Sequence, residues 1–195
     1  MARKRFESLR WFGMAALVAA AGCAGMEDVE VDELDAEELA LVAAEAPRDP
    51  SSCSVVFEAE TVIAAPVAEV WNLLVDIRHY GDWNPWIVWA DGDAVPGAVV
   101  HADVVMGDRI MEVEHVVLAV DPTTRFCWRD GGPSSLFVYG QRCRWLEARP
   151  DGTTVFRQQL MLDGLFAHAT KLIYGDAMRN GMATETAALR ETAER

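Results

Sequence analysis

Between Ser54 and Leu162 the chain returns again and again to one device, an apolar residue at every second position, and after Leu165 it abandons it. Val55, Phe57, Ala59 and Thr61 alternate with Glu58 and Glu60. Phe126 and Trp128 alternate with Arg125 and Arg129, and Phe156, Gln158, Leu160 and Leu162 with Arg157 and Gln159. A period of two with one apolar and one charged face belongs to antiparallel strands wetted on one side. Asp121-Pro122-Thr123, Asp130 to Pro133 and Pro150-Asp151-Gly152 supply turns between them. From Leu165 the pattern changes to a run rich in Ala, Met, Leu, Thr and Glu with no strong breaker, which predicts one long helix over Phe166–Glu194. Ile173, Ala177, Gly181, Thr184 and Ala188 fall on one stripe of it. Small residues there either bring the helix close to the sheet or leave room for a ligand. Six or seven strands and a long terminal helix make an α+β domain.

The register of one hairpin follows from the sequence. Gly107-Asp108 fits a two-residue loop between Val99–Met106 and Arg109–Val120. Met106 then faces Arg109, Val104 faces Met111, Ala102 faces Val113 and Val100 faces His115. The other face pairs His101 with Glu114 and Asp103 with Glu112. That segregation leaves one face apolar except for His115, and it makes His101 a solvent-side partner of Glu114.

By the same alternation Phe137, Tyr139, Gln141, Cys143 and Trp145 share the inner face, against Arg142 and Arg144. The inward polar residues are then His115, Tyr139, Gln141 and Gln158. Cys127 and Cys143 fall on opposite faces, so no secure disulfide is expected among Cys53, Cys127 and Cys143.

Pro66 opens a short helix, with Val67, Val70, Trp71, Leu74 and Ile77 on one stripe. It should stop near Gly81, before Asn84-Pro85. Trp83, Trp86 and Trp89 crowd an irregular segment, as a lid on the core, as a pocket mouth, or as both. The strand-to-Pro66 junction, Val70-Trp71 and Trp83-Asn84-Pro85-Trp86 resemble the start of a START-like domain of the polyketide cyclase/dehydratase and lipid-transport superfamily. The resemblance extends over Ser54 to Glu194. It implies a helix-grip fold, a curved antiparallel sheet wrapped round the C-terminal helix with a cavity between. It is specific for fold and weak for function, because that superfamily holds binders and enzymes alike.

Residues 1–22 read as a signal peptide. Arg3, Lys4, Arg5 and Arg10 precede an apolar run, Trp11 to Ala21, too short to span a bilayer. Ala20-Ala21-Gly22-Cys23 resembles a bacterial lipobox, which implies cleavage and acylation of Cys23. An ordinary secretory signal with an incidental Cys is the alternative. Ala24 after the Cys leans toward the outer membrane of the cell envelope, by resemblance to enterobacterial sorting. Residues 23–52 read as an acidic tether, in which Asp35 to Ala46 has the pattern of a short helix, and residues 53–195 as the domain. Formal charge is −14, and loss of residues 1–22, with four basic side chains and one acidic, takes it to −17. This argues against nucleic acid as a partner and leaves membrane attachment to the acyl chains.

The predicted lining is Trp83, Trp86, Val113, His115, Phe126, Trp128, Phe137, Tyr139, Gln141, Phe156, Gln158, Ile173 and Ala177. An apolar wall with a few placed polar groups suits a hydrophobic small molecule or lipid. The alternative is an enzyme with His115 as acid/base and Tyr139 as a partner donor, although no inward carboxylate is foreseen to orient the His. The sequence has no G-x-S-x-G, HExxH, Cys-x-x-Cys or glycine-rich phosphate loop, so it implies neither metal nor cofactor. Oligomeric state is not legible in it.

Overall fold

In the computed structural model residues 45–195 are described. The signal segment, Cys23 and the tether as far as residue 44 lie outside them. Glu45 and Ala46, the end of the expected tether helix, are not helical.

Seven antiparallel strands form one sheet: β1 (Val55–Ile63), β2 (Ile87–Asp91), β3 (Val99–Met106), β4 (Arg109–Asp121), β5 (Arg125–Asp130), β6 (Tyr139–Ala148) and β7 (Thr154–Asp163). Their spatial order is β1-β7-β6-β5-β4-β3-β2, a meander from β2 to β7 in which only β1 is displaced, to the far edge. Helix α1 (Val67–Val75), a 3-10 turn (Ile77–His79) and one turn of helix α2 (Tyr80–Trp83) connect β1 to β2. Helix α3 (Ala167–Ala193) lies across the inner face of the sheet, most closely over β1. No described helix is long and apolar enough to cross a membrane.

The β3–β4 register is the one that the hairpin loop dictates, from Met106↔Arg109 to Val100↔His115. Gly107 takes the positive φ, 71°, that such a loop requires. His101 and Glu114 are a solvent-side pair 3.7 Å apart. Helix α1 ends earlier than the apolar stripe implies, at Asp76, whose ψ of 67° leaves the helical region. Tyr80 Oη then donates to the Leu74 carbonyl at 2.5 Å, satisfying one of the freed acceptors. Asn84, extended before Pro85, accepts from the backbone N–H of Trp86 and of Ile87. That turns the chain into β2, a strand the crowded tryptophans concealed.

The core between sheet and α3 holds Phe57, Ile63, Leu74, Tyr80, Phe126, Trp128, Phe156, Leu162, Met182 and Leu189. Four expectations fail. First, β6 is reversed: Arg142 and Arg144 point to the core, while Tyr139, Gln141 and Cys143 point to the outer face. Both faces of β6 are half polar, so alternation alone does not orient it. Second, Cys127 and Cys143, directly paired across β5 and β6, form a disulfide on that outer face. Third, the buried stripe of α3 runs through Gly175, Met178, Met182, Glu185 and Leu189. It is rotated from the expected one, so Ile173 is 72% exposed and Thr184 is exposed. Fourth, the end of the tether is part of the domain. Gln141 and Arg48 exchange side-chain-to-backbone hydrogen bonds of 2.8 and 2.9 Å, and Arg129 Nε donates to Glu45 at 2.6 Å.

Candidate functional site

The inner face of β6 carries two guanidinium groups into the core under α3. Arg142, Arg144 and Glu185 are buried, the last two completely. Glu185 faces them from the middle of α3, accepting from Arg142 Nη2 through Oε2 and from Arg144 Nη2 through Oε1 at 3.3 Å. Arg142 also donates to Gln158 Oε1, from Nε at 3.0 Å and from Nη2. The Gln158 amide in turn donates to Thr186 Oγ1 at 2.6 Å and to the Met182 carbonyl at 3.1 Å. This network ties β6 and β7 to α3 through buried polar groups. Removal of charges from water costs several kcal/mol each, so such a set survives only when mutually bonded. Burial, then the like charge of Arg144, pulls the Arg142 pKa down to about 10.

Aromatic faces enclose the pair. The Arg142 guanidinium lies 4.3 Å over the Trp86 ring, and that of Arg144 lies 4.3 Å over Trp128. Trp86, expected near a rim, is instead a core residue resting on Gly181 of α3, where no larger side chain would fit. Trp83 is half-buried against Tyr80, and Trp89 is 42% exposed. Burial pushes the Tyr80 phenol up to about 12.

Farther along the face, His115 stacks on Trp128, with parallel planes and centroids 4.7 Å apart. Asp130, its register partner on β5, places Oδ1 3.2 Å from His115 Nδ1. That approach is off the line of a hydrogen bond, so Nδ1 has no hydrogen-bond partner and the pair is an electrostatic contact. A side chain at position 140 would overlap the Asp130 carboxylate; Gly140 makes room for it. Asp130 is the inward carboxylate the sequence reading did not foresee. It shares a face with Phe126 and Trp128, which is where its signal lay.

Of the predicted lining, His115, Phe126, Trp128, Phe156 and Gln158 meet on the inner face, with Val113 half-buried at its edge. Tyr139 and Gln141 do not join them, but bond each other at 3.1 Å on the outer face, under Arg48. Phe137 is 56% exposed and packs against Phe166 at the amino end of α3. Ala177 is half-buried. Arg142, Arg144 and Glu185 went unpredicted. Glu185 was legible as the one acidic residue among Met178, Met182 and Leu189 at helical spacing. A separate groove of about 980 Å³ lies on the sheet's other side, lined by Glu58, Glu60, Arg125, Trp145 and Arg157 among others.

A family model described as polyketide cyclase/dehydrase and lipid transport matches residues 54–194. Comparison with curated proteins yields no match. Among solved structures, the Zhui aromatase/cyclase from Streptomyces sp. R1128 superposes with a TM-score of 0.63 at 16% identity, covering 73% of this chain and 94% of that one. Truncated norcoclaurine synthase from Thalictrum flavum gives 0.57 at 15%, covering 75% and 97%. A START superfamily protein from Mycobacterium smegmatis gives 0.55 at 13%, covering 71% and 97%. At such identities the likeness is one of fold.

Proposed function

Because the chain belongs to the polyketide cyclase/dehydrase and lipid transport family, we propose that it binds a hydrophobic small molecule or lipid between the sheet and α3. The observation that carries this reading is the family match over residues 54–194. An apolar wall of Phe126, Trp128, Phe156 and Leu160 surrounds one fixed polar set, Arg142, Arg144, Gln158 and Glu185. That is the composition of a small-molecule site. At the amino end of α3, Leu165, Phe166, Leu172 and Ile173 are all exposed. Native mass spectrometry of the full chain tests the reading, with co-purified ligand the expected result. If no ligand is found, and none of a fatty acid and phospholipid series alters tryptophan fluorescence or melting temperature, the reading fails.

In this proposal the domain is a carrier, tethered through acyl chains on Cys23 to the bacterial cell envelope, at the outer rather than the inner membrane. Support comes from the basic segment, the apolar run and Ala20-Ala21-Gly22-Cys23. Labelled palmitate should enter the wild-type chain and not Cys23→Ser; equal labelling of both removes the anchor.

The Asp130–His115 contact favours a second reading, acid/base catalysis of a cyclase or dehydratase type. A carboxylate beside Nδ1 leaves Nε2 as the ring nitrogen that could meet a substrate. Turnover abolished in His115→Ala with ligand affinity retained would establish it.

A further inference from the structure

At the end of the sheet where β5 and β7 finish and β6 begins, the domain turns an apolar surface to solvent. Leu165 and Phe166 lead into α3, and Leu172 and Ile173 lie in its second turn. The two pairs are seven residues apart, about two helical turns, so they run along one side of the element. The core takes another side, through Ala167 and Gly175. Leu136 and Phe137, between β5 and β6, join the same surface. The Phe137 ring lies 6.1 Å from that of Phe166, and the Phe137 carbonyl accepts from the Phe166 backbone N–H at 3.3 Å. Of these six, Phe166 is the least exposed, at 49%, and Leu172 the most, at 87%. Single apolar side chains on a surface are ordinary, but six gathered from two segments mark a contact surface. Negative charge is withdrawn from the same segments. No Asp or Glu occurs from Gly131 to Leu146 or from Gly164 to Gly175, in a chain with 31 acidic residues against 17 basic ones. The second segment carries His168 and Lys171 instead, the latter the only lysine among the described residues.

We propose that this end of the domain docks on a lipid bilayer, with Leu136, Phe137, Phe166, Leu172 and Ile173 entering the boundary between headgroups and acyl chains and Lys171 reaching back to the phosphates. The docking does not depend on a molecule held inside the domain. Two observations choose a bilayer over a protein partner. The apolar side chains stand out from two turns and a helix start, and a fluid hydrocarbon conforms to such protrusions, whereas a protein must offer matching hollows. The chain toward Cys23 also leaves the domain at this end. Glu45 is held by Arg129 near the end of β5, and Arg48 by Gln141 near the start of β6. Even fully extended, residues 23–44 reach about 75 Å, so a chain held at Cys23 keeps this end within reach of the surface. A formal charge of −14 gains nothing from anionic headgroups, so attachment here comes from apolar insertion with carboxylates kept clear of it.

The test uses the full chain with Cys23→Ser, so that docking is read without acyl chains and failure of the anchor leaves it standing. Amide hydrogen exchange is followed by mass spectrometry with and without dioleoylphosphatidylcholine vesicles. The apolar run Trp11 to Ala21 can itself bind lipid, so local protection, not bulk partitioning, is the readout. Vesicles should slow exchange severalfold in peptides covering residues 132–138 and 164–175, and leave the turn at residues 121–125, at the opposite end of the sheet, unchanged. Combining Phe137→Glu, Phe166→Glu and Leu172→Glu should abolish that protection, whereas Val95→Glu, equally exposed but at the opposite end, should preserve it. If the triple variant does not fold, the vesicle-dependent protection of the parent chain decides alone. Vesicles that leave both segments unprotected would overturn the docking. So would protection of the same segments that grows with protein concentration without lipid, which would make this surface a face between two copies of the chain.

Discussion

Arg142 and Arg144 sit two residues apart on one strand with the same chemistry, and the difference between them lies wholly in what other elements bring. Glu185 is the hinge of that arrangement. Replacing it with Leu strands two buried cations, and Glu185→Leu should lower unfolding free energy by about 3–5 kcal/mol in urea titrations. The triple variant Arg142→Met, Arg144→Met, Glu185→Leu removes the charges together and should lose far less. If Glu185→Leu costs no more than a surface change, the cluster is wetter than its burial states. Tyr80 gives a pH signature. Its folded pKa, about 12, stands above the unfolded value of about 10. Above pH 10 the folded state therefore binds more protons than the unfolded one, and stability falls as pH rises through that window, by up to about 2–3 kcal/mol. Ultraviolet titration should show the Tyr80 phenolate appearing together with loss of near-UV circular dichroism, not before it.

Among the elements, α3 is tuned by glycines that do different work. A methyl at Gly181 would overlap the Trp86 indole, whereas at Gly175 it would meet Lys171 Cγ at 3.4 Å and Phe57 Cζ at 3.7 Å, ordinary contact with a flexible neighbour. Gly175→Ala should stabilise by about 0.5–1 kcal/mol through helix propensity. Gly181→Ala should destabilise by roughly 1–3 kcal/mol as Trp86 is driven off its seat. Melting curves that rank the two the other way would contradict the Trp86–α3 contact. The β5–β6 ladder carries the disulfide, closing a sequence separation of 16 residues. Loops of that size are worth about 3 kcal/mol, so reduction, or Cys127→Ala, should lower the melting temperature by roughly 6–12 °C.

At the scale of the molecule, the part of the outer face around Tyr139 and Gln141 is covered by residues that precede the first strand. Arg48 stacks 3.8 Å from the Tyr139 ring while Gln141 holds its backbone. Burial pulls the Glu45 carboxyl up, but hydrogen bonds from Arg129 and Arg48 win and hold it below its usual value. A chain beginning at Ser51 should melt several degrees below the full chain, since it uncovers Tyr139 and the side-chain amide of Gln141 together. Much of this architecture was legible in the residues alone. Period-two runs, the Gly107-Asp108 loop and the unbroken terminal helix specify a sheet and its helix, because patterning and turn chemistry act over a few neighbours. His115, Phe126, Trp128, Phe156 and Gln158 were placed on the inner face for the same reason. What alternation could not decide was which way β6 faces, since Arg142 and Gln141 are both polar and only a partner distinguishes inside from outside. That partner, Glu185, arrives from a helix more than forty residues away, as Arg48 does for Gln141 from the other end of the chain. The site's charge, its disulfide and its buried guanidinium pair are products of tertiary contact, because whether a buried polar group is tolerated depends on what the fold sets opposite it.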